Sequence, residues 1–281
     1  MKARGMAKRT SSTRRSTTAR PADVSAINKR VKSRIKRASE FEDWERMLIY
    51  GRSGAGKTRL VATAPDVLLM DIDEKGTKST KKDLDPHAIR IASIDEFVET
   101  YWYLQSGEHD HLSVAVDGVT GLQNMFLNYV LGEAALLDAS RDPDMPSRQI
   151  YGKVSKLMKN WLTNYRNLDM HVLFTALTRV NREGGEDEED EDLGAVTVGT
   201  AVSPAIGGHL EAACDTIGYL HTRQVVVKKG ERRNKVTRRR LLTGPNERYD
   251  TKDRNNAFGP WVDAPDISKM IRTINGEEEE T

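Results

Sequence analysis

Cysteine is almost absent from this sequence, since Cys214 is the only one among 281 residues. A single cysteine excludes internal disulfides and metal sites built from several thiolates. Long apolar runs are missing too: no stretch of about 18 apolar residues occurs, so no segment is predicted to span a membrane. The basic N-terminus is not followed by the apolar stretch of a secretory signal. These absences predict a cytosolic protein with no membrane partner.

Acidic residues are nearly absent from the N-terminal segment, and basic residues are absent from a later acidic segment. Residues 1–40 hold thirteen Lys or Arg against only Asp23 and Glu40, whereas the ten residues 183–192 hold eight acids. Blocks of like charge repel themselves and contain too little apolar surface to fold. We therefore expect disordered charged segments around one folded domain. The predicted divisions are a basic disordered arm over residues 1–42, a folded domain over 43–275 with an acidic disordered loop at about 181–204, and an acidic tail over 276–281.

Short apolar segments alternate with segments of helical periodicity along the domain. The segments predicted as strands are residues 47–50, 67–73, 88–92, 112–117, 171–176 and 216–221. Those predicted as helices are residues 57–64, 94–104, 121–137 and 148–166. Buried strands that alternate with helices predict an α/β fold, with a mostly parallel sheet covered by helices on both faces. Residues 224–227 and 238–243 flank a charged turn and predict a C-terminal β-hairpin.

One segment between a predicted strand and a predicted helix matches the pattern G-x4-G-K-[ST] of a phosphate loop. It consists of Gly51, Arg52, Ser53, Gly54, Ala55, Gly56, Lys57 and Thr58. Glycines let backbone N–H groups surround phosphate oxygens, where side chains would block the approach. Lys57 is expected to reach the β- and γ-phosphates, and the Thr58 hydroxyl to bind Mg²⁺. We expect ATP with Mg²⁺, because no guanine-reading N-K-x-D stretch occurs.

Two polar residues on other predicted strands are candidates for the same site. Asp117 follows four apolar residues at the end of a strand, the Walker-B position, and is expected to hold the metal together with Thr58. Thr175 lies inside the apolar strand of residues 171–176. It either contacts the γ-phosphate or is an ordinary buried strand residue.

Three acids, Asp71, Asp73 and Glu74, end the strand predicted over residues 67–73. The carboxyl ends of parallel strands line the ligand crevice of such sheets. A carboxylate at that place can orient or deprotonate the water that attacks the γ-phosphate. We expect one of the three acids to do so and the other two to be solvated or capping residues.

In this order, the motifs resemble the RecA-like core of phage ATPases, and among them the short recombinases that anneal single-stranded DNA. The resemblance covers about residues 44–274 and rests on MLIYGRSGAGKT, LLMDID, LSVAVDGVTGL, YGKVSKLMKNWL, HVLFTAL and LLTGPNERYDTKDR. It implies a RecA-like P-loop fold, DNA-stimulated ATP hydrolysis, assembly into a ring or filament, and a role in phage recombination or annealing. A phage-encoded protein of this kind would act in the cytoplasm of the host cell.

The resemblance also implies roles for particular residues. The catalytic carboxylate of RecA-like proteins lies two residues after the acid that ends the second strand, which is Asp73 here, although many relatives have glutamate. The segment that follows the predicted strand of residues 171–176, residues 178–208, corresponds to the one that contacts DNA in RecA. Hexameric relatives of the DnaB-helicase type insert a K-x-R pair into the neighbouring subunit's ATP, and Lys252 and Arg254 have this spacing. The alternative for this pair is a solvated turn.

Three basic segments predict DNA or RNA as a partner, because cations that neutralise phosphates release counterions and bind without sequence preference. They are the arm of residues 1–40, the stretch 228–240 with eight cations, and a helix with Lys153, Lys156 and Lys159. The resemblance to annealing recombinases implies that this partner is single-stranded DNA. Arg179 and Arg182, beside the acidic loop, are further candidates for DNA contact. Alternatively, the cations serve solubility or bind an acidic partner.

The acidic segments have two interpretations each. The loop either mimics a polyanion and occupies a basic groove until DNA displaces it, or is a disordered insertion. The tail either does the same or docks a single-strand-binding protein. For the whole chain, the alternatives to a recombinase are a DnaB-like helicase or translocase core, and a nucleotide-gated assembly protein with little turnover.

Overall fold

The structure is a computed structural model that describes residues 24–37, 40, 44–72, 76–137, 146–182, 196–229 and 232–277. The chain divides into two units, residues 1–43 and 44–281. In the first unit, helix α1 (Val24–Arg34) buries none of its residues. This helix corrects the expectation of disorder throughout the basic arm. Neither Gly nor Pro interrupts the segment, and Ile27 and Val31 are spaced four residues apart as on one helix face.

The described part of the second unit contains eleven strands and six α-helices. The strands are β1 (Arg46–Tyr50), β2 (Val67–Ile72), β3 (His87–Ile91), β4 (Ser113–Asp117), β5 (His171–Ala176), β6 (Thr178–Arg182), β7 (Val196–Thr200), β8 (Thr216–Lys229), β9 (Arg232–Leu242), β10 (Lys252–Asp253) and β11 (Trp261–Asp263). The helices are α2 (Lys57–Val61), α3 (Ile94–Ser106), α4 (Val119–Leu137), α5 (Arg148–Arg166), α6 (Pro204–Ala213) and α7 (Ile267–Ile274). A 3₁₀ turn spans Gly76–Ser79.

Nine of these strands form one sheet, in the order β11-β9-β8-β1-β5-β4-β2-β3, with β10 paired to β8. The pairs of β1 with β5 and β8, of β4 with β5 and β2, and of β2 with β3 are parallel. Strands β9, β10 and β11 pair antiparallel to their neighbours. The predicted α/β fold with a mostly parallel sheet is therefore confirmed. β1, which precedes the phosphate loop, lies in the interior of this sheet.

Helices cover both faces of the sheet because alternate strand residues point in opposite directions. In β1, Leu48 and Tyr50 belong to one apolar cluster, and Met47 and Ile49 belong to the other. The first cluster includes residues of α3, α4, α5 and α6, and the second includes residues of α2 and α7. Strands β1, β2, β4 and β5 are thus buried on both faces, which explains their nearly continuous apolar sequences, whereas β3 at the edge of the sheet is mostly exposed.

The C-terminal hairpin is longer than the sequence predicts. β8 and β9 pair from Tyr219 opposite Leu242 up to Lys229 opposite Arg232, so most of the segment predicted as a charged turn is strand. β-branched residues such as Val225 and Val236 favour the strand conformation in this segment. The charge of residues 228–237 is therefore a poor guide to where this hairpin turns.

The acidic loop is shorter than its predicted bounds of about 181–204. Strand β6 continues to Arg182, β7 begins at Val196 and pairs antiparallel with β6, and α6 begins at Pro204. The β-branched residues of β7 explain its strand conformation. The acids at positions 183–192 lie outside the described residues. In the part of the chain that is described, no helix has both the length and the apolar character needed to cross a membrane.

Candidate nucleotide site

The phosphate loop, residues 51–58, connects the C-terminal end of β1 to α2. Gly54 and Gly56 have φ angles of 78° and 99°, in the left-handed region that glycine adopts without steric cost. Gly56 is the N-cap of α2, so its conformation turns the chain directly into the helix. This local geometry explains why the motif needs glycine at these two positions.

Lys57 is buried and folds back over the loop that carries it. Its Nζ donates hydrogen bonds to the carbonyl oxygens of Gly51 and Arg52, at 3.2 and 3.3 Å. Phosphate oxygens can replace these carbonyls as acceptors, because an ammonium group has three donors that rotate freely. The lysine is therefore held beside the loop in a position to meet an anion.

Three polar residues form a row across the sheet below the loop. Asp71 of β2 is in register with Asp117 of β4, which is in register with Thr175 of β5. The next residue of the row is Ile49 of β1. All three polar side chains are buried, with relative exposures of 2%, 0% and 0%. By strand alternation they lie on the sheet face covered by α2.

Asp117 accepts a hydrogen bond from a threonine on each side. The Thr58 hydroxyl donates to its Oδ2 and the Thr175 hydroxyl to its Oδ1, each at 2.6 Å. Burial raises the pKa of the Asp117 carboxyl above its ordinary value, while the two hydrogen bonds oppose this effect. The Thr175 hydroxyl also accepts a bond from the backbone N–H of Gly118, at 3.0 Å. Thr175 therefore orients the carboxylate, and a contact to the γ-phosphate stays a prediction.

The residues present fit a magnesium ion. Thr58 and Asp117 supply adjacent oxygen ligands, and Mg²⁺ is commonly held by one or two protein oxygens together with waters and phosphates. Space is also reserved beside them: a Cβ at Gly76 would lie 2.8 Å from both Thr58 Oγ1 and Asp117 Oδ2. No group of three or more His, Cys, Asp or Glu within the described ranges could hold a metal by itself. A nucleotide's own phosphates would complete the coordination.

Asp71 shapes the turn that follows β2. Its carboxylate accepts hydrogen bonds from the backbone N–H groups of Gly76 and Thr77, at 3.0 and 3.4 Å, and from the Thr77 hydroxyl, at 3.1 Å. These bonds draw the chain after residue 75 back toward Thr58 and Asp117. Asp73 and Glu74, the candidates for the catalytic carboxylate, lie outside the described residues.

Arg239 is a residue of this site that the sequence did not single out. It lies on β9, and its Nε donates a hydrogen bond to the carbonyl oxygen of Ala55, at 3.1 Å. A Cβ added at Gly56 would coincide with the Arg239 side chain, whose Nε lies 2.3 Å from that position. The only signal in the sequence was the run of three arginines at 238–240, and nothing local indicated which of them meets the loop.

A cavity of about 640 Å³ adjoins the phosphate loop at Arg52. Its wall includes Tyr219, His221, Tyr249 and Trp261. The rings of Tyr219 and Tyr249 are stacked with centroids 4.2 Å apart. On the far side, the Arg240 guanidinium lies 4.5 Å from the centre of the Trp261 ring and binds both carboxylate oxygens of Asp263. The cavity thus offers aromatic faces and a fixed cation next to the phosphate loop.

Lys252 and Arg254 do not join the phosphate loop of their own chain. β10 pairs with the N-terminal end of β8, whereas the loop lies at the C-terminal end of β1. The Lys252 Nζ donates to the carbonyls of Glu211 and Cys214, at 2.9 and 2.7 Å, where α6 ends. Arg254 pairs with Asp215, and more than half of its side chain is exposed. Insertion into a neighbouring subunit stays a prediction.

The candidate DNA-contacting residues lie at several places. Arg179 is on β6 and donates to the Asn181 side chain, at 2.8 Å, and Arg182 ends the same strand. On α5, Lys153 forms an exposed ion pair with Glu133, at 2.7 Å.

Comparison with known proteins identifies the family. No curated protein matches the chain significantly. A family model described as an AAA domain matches residues 44–255, about three quarters of the chain and nearly all of the residues discussed above. The chain therefore belongs to this AAA domain family of P-loop ATPases, which supports nucleotide binding by the loop described here.

Proposed function

We propose that this protein is a RecA-like ATPase that hydrolyses ATP, binds single-stranded DNA and promotes recombination or annealing of DNA strands in a phage. One observation carries the proposal. The nucleotide site lies at the root of the β8–β9 hairpin, and the exposed part of this hairpin is strongly basic. Nucleotide and nucleic acid would therefore bind to contiguous parts of the same sheet.

The nucleotide half of the proposal assigns a role to each group of the site. Backbone N–H groups of residues 51–58 and the Lys57 ammonium bind the phosphates, and Thr58 and Asp117 hold Mg²⁺. Bound Mg²⁺ stabilises the negative charge that develops on the transferred phosphoryl group. Asp73 orients or deprotonates the attacking water. The nucleoside occupies the aromatic cavity beside Arg52, since aromatic faces stack well on bases.

The nucleic-acid half depends on what we name the basic ribbon, residues 222–229 and 232–239. These sixteen positions include eight Lys or Arg and no acid. Arg223, Arg238 and Lys235 are exposed, as are Val226 and Val236, so the core does not cover this part of the hairpin. A cationic surface of this kind binds nucleic acid through its phosphates and with a strong dependence on salt.

Phosphate release from ATP, with and without single-stranded DNA, tests both halves. We expect turnover in the wild type, stimulation by DNA, and a loss of roughly 100-fold or more in Lys57→Ala, because this cation meets the transferred phosphate. Arg272→Ala is a matched control, since it removes an exposed cation in the last turn of α7, a residue with no assigned role at the nucleotide site. It should retain the wild-type rate.

Other outcomes point to other functions. Tight ATP binding without phosphate release, even with DNA, would contradict an ATPase and support a nucleotide-gated assembly protein. Strand separation by the purified protein alone would favour a helicase or translocase. Equal stimulation by duplex and single-stranded DNA would contradict the proposed preference for single strands.

A further inference from the structure

In the basic ribbon, repulsion between like charges opposes the pairing of the two strands. The ladder places Arg223 opposite Arg238. Like charges directly opposite one another destabilise a strand pair. A two-stranded hairpin without a packed face is also only marginally stable in water. Strand pairing in the ribbon should therefore become more stable when a polyanion neutralises these cations.

The root of the ribbon is fixed to the phosphate loop by one side chain. Arg239 lies opposite Thr222, and its Nε donates a hydrogen bond to the Ala55 carbonyl. Within the described part of the chain, the guanidinium of Arg239 forms no other hydrogen bond that the structure shows. Arg238, its neighbour on β9, is turned to the other face of the ribbon, as strand alternation requires.

We propose that Arg239 couples the two ligands, so that nucleic acid bound to the basic ribbon raises the affinity of the phosphate loop for ATP. This inference rests on the proposed DNA partner and adds a mechanism to it. Neutralised cations stabilise strand pairing at the root of the ribbon. Correct pairing holds the Arg239 guanidinium against Ala55 and Gly56, where it supports the loop conformation and adds a cation beside the phosphates. Because linkage is reciprocal, ATP raises the affinity for DNA by the same factor.

The test measures the dissociation constant of a fluorescent, slowly hydrolysed ATP analogue with and without a saturating single-stranded oligonucleotide. We expect the oligonucleotide to tighten nucleotide binding roughly tenfold in the wild type, within the usual range of such couplings. Arg239→Ala and Arg239→Lys should both reduce this factor to about one. The lysine variant matters because it keeps the charge of the ribbon but loses the Nε hydrogen bond and its planar geometry.

Lys235→Ala is the matched control. It removes one exposed cation of the ribbon at a position opposite Val226, where no second cation is relieved, so it should weaken oligonucleotide binding and reduce its salt dependence. Once the oligonucleotide is saturating, its coupling factor should equal that of the wild type. Equal loss of coupling in Lys235→Ala and Arg239→Ala would overturn the assignment to Arg239, because net charge alone would then explain the effect.

Two failures have separate signatures. If the wild type binds no oligonucleotide at low salt, the proposed DNA partner is wrong, and the coupling is overturned with it. If the wild type binds the oligonucleotide but nucleotide affinity does not change, or if Arg239→Lys keeps the full factor, only the coupling is overturned. The same oligonucleotide titration with and without the analogue checks reciprocity.

Discussion

Thr58, Asp117 and Thr175 form a continuous chain of hydrogen bonds, although 59 and 58 residues separate the bonded partners in sequence. At the scale of single residues, these hydrogen bonds influence the protonation state of the Asp117 carboxylate, the proposed metal ligand. Burial raises the pKa of Asp117, and both threonine hydroxyls donate to its charged form. The carboxylate is thus held ready for a cation at an energetic cost to the nucleotide-free protein.

The cost at Asp117 should be visible as a dependence of stability on pH. A carboxyl whose pKa is raised on folding contributes stability that is fully present below its unfolded pKa, near 3.8, and is lost as pH rises through the folded pKa. We expect Asp117→Asn to remove this contribution, so that the nucleotide-free variant gains stability relative to the wild type as pH rises. Urea unfolding of both proteins between about pH 4 and pH 8 measures the difference. Parallel curves would contradict it.

The same substitution should impair the site. An amide cannot supply an anionic ligand, so we expect the affinity for Mg²⁺ with nucleotide to fall by roughly 10- to 100-fold in Asp117→Asn. Titration of Mg²⁺ at saturating nucleotide tests this. A variant that is both more stable and fully active would show that Asp117 does not meet the metal.

Gly76 provides a steric prediction at the same scale. A methyl group there would lie 2.8 Å from Thr58 Oγ1 and Asp117 Oδ2, closer than real Cβ contacts allow. Gly76→Ala should therefore displace the metal ligands and weaken Mg²⁺-dependent nucleotide binding by roughly tenfold or more. Gly152→Ala in α5 is the control: nothing lies within 4 Å of its Cβ position, and helix propensity favours alanine by about 1 kcal/mol. Equal binding by both variants would contradict the crowding.

At the scale of elements, helix α6 shows how a residue predicted for catalysis can serve the fold. Its last carbonyls receive the Lys252 ammonium, and a cation at a helix C-terminus is favourable both as a donor and through the helix dipole. The lysine comes from β10, so it also ties the edge of the sheet to the helix. Lys252 was predicted to be catalytic because its spacing from Arg254 resembles the K-x-R pair of hexameric relatives.

Lys252→Met should destabilise the protein by roughly 1–2 kcal/mol, because two carbonyls at the C-terminal end of α6 lose their donor. Chemical unfolding measures this loss, with Lys156→Met as the control, since Lys156 is exposed on α5. If Lys252→Met kept full stability but lost ATP turnover, the lysine would act at a phosphate instead of at α6.

At the scale of the whole molecule, the two ends of the parallel strands carry different groups. The phosphate loop, the Asp117 row and the root of the basic ribbon lie at the C-terminal end, and Arg254 lies with β10 at the N-terminal end. A finger on one end of a subunit can reach the nucleotide on the other end of a neighbour only in an assembly. This separation fits the ring or filament that the sequence resemblance implies.

Mixed assemblies test that arrangement. Lys57→Ala subunits lack the phosphate-binding lysine, and Arg254→Ala subunits lack the proposed finger, so we expect each to be nearly inactive alone. Mixing them should restore turnover, because the intact Arg254 of one subunit can serve the intact loop of the other. Phosphate release across a series of mixing ratios gives the answer. Full activity of Arg254→Ala alone would show instead that this arginine only pairs with Asp215.

Local spacing in the sequence is enough to predict the elements that are contiguous in the chain. The phosphate loop, Asp117 at the end of β4 and the bounds of α5 and β5 follow from it, since hydrogen-bonded turns, strands and helices form between near neighbours. Which distant residues meet these elements depends on the tertiary structure. Thr175 bonds Asp117, Gly76 leaves room at the proposed metal ligands, and Arg239 reaches Ala55 from 184 residues away. Sheet order and strand register, which no local pattern encodes, bring these side chains together.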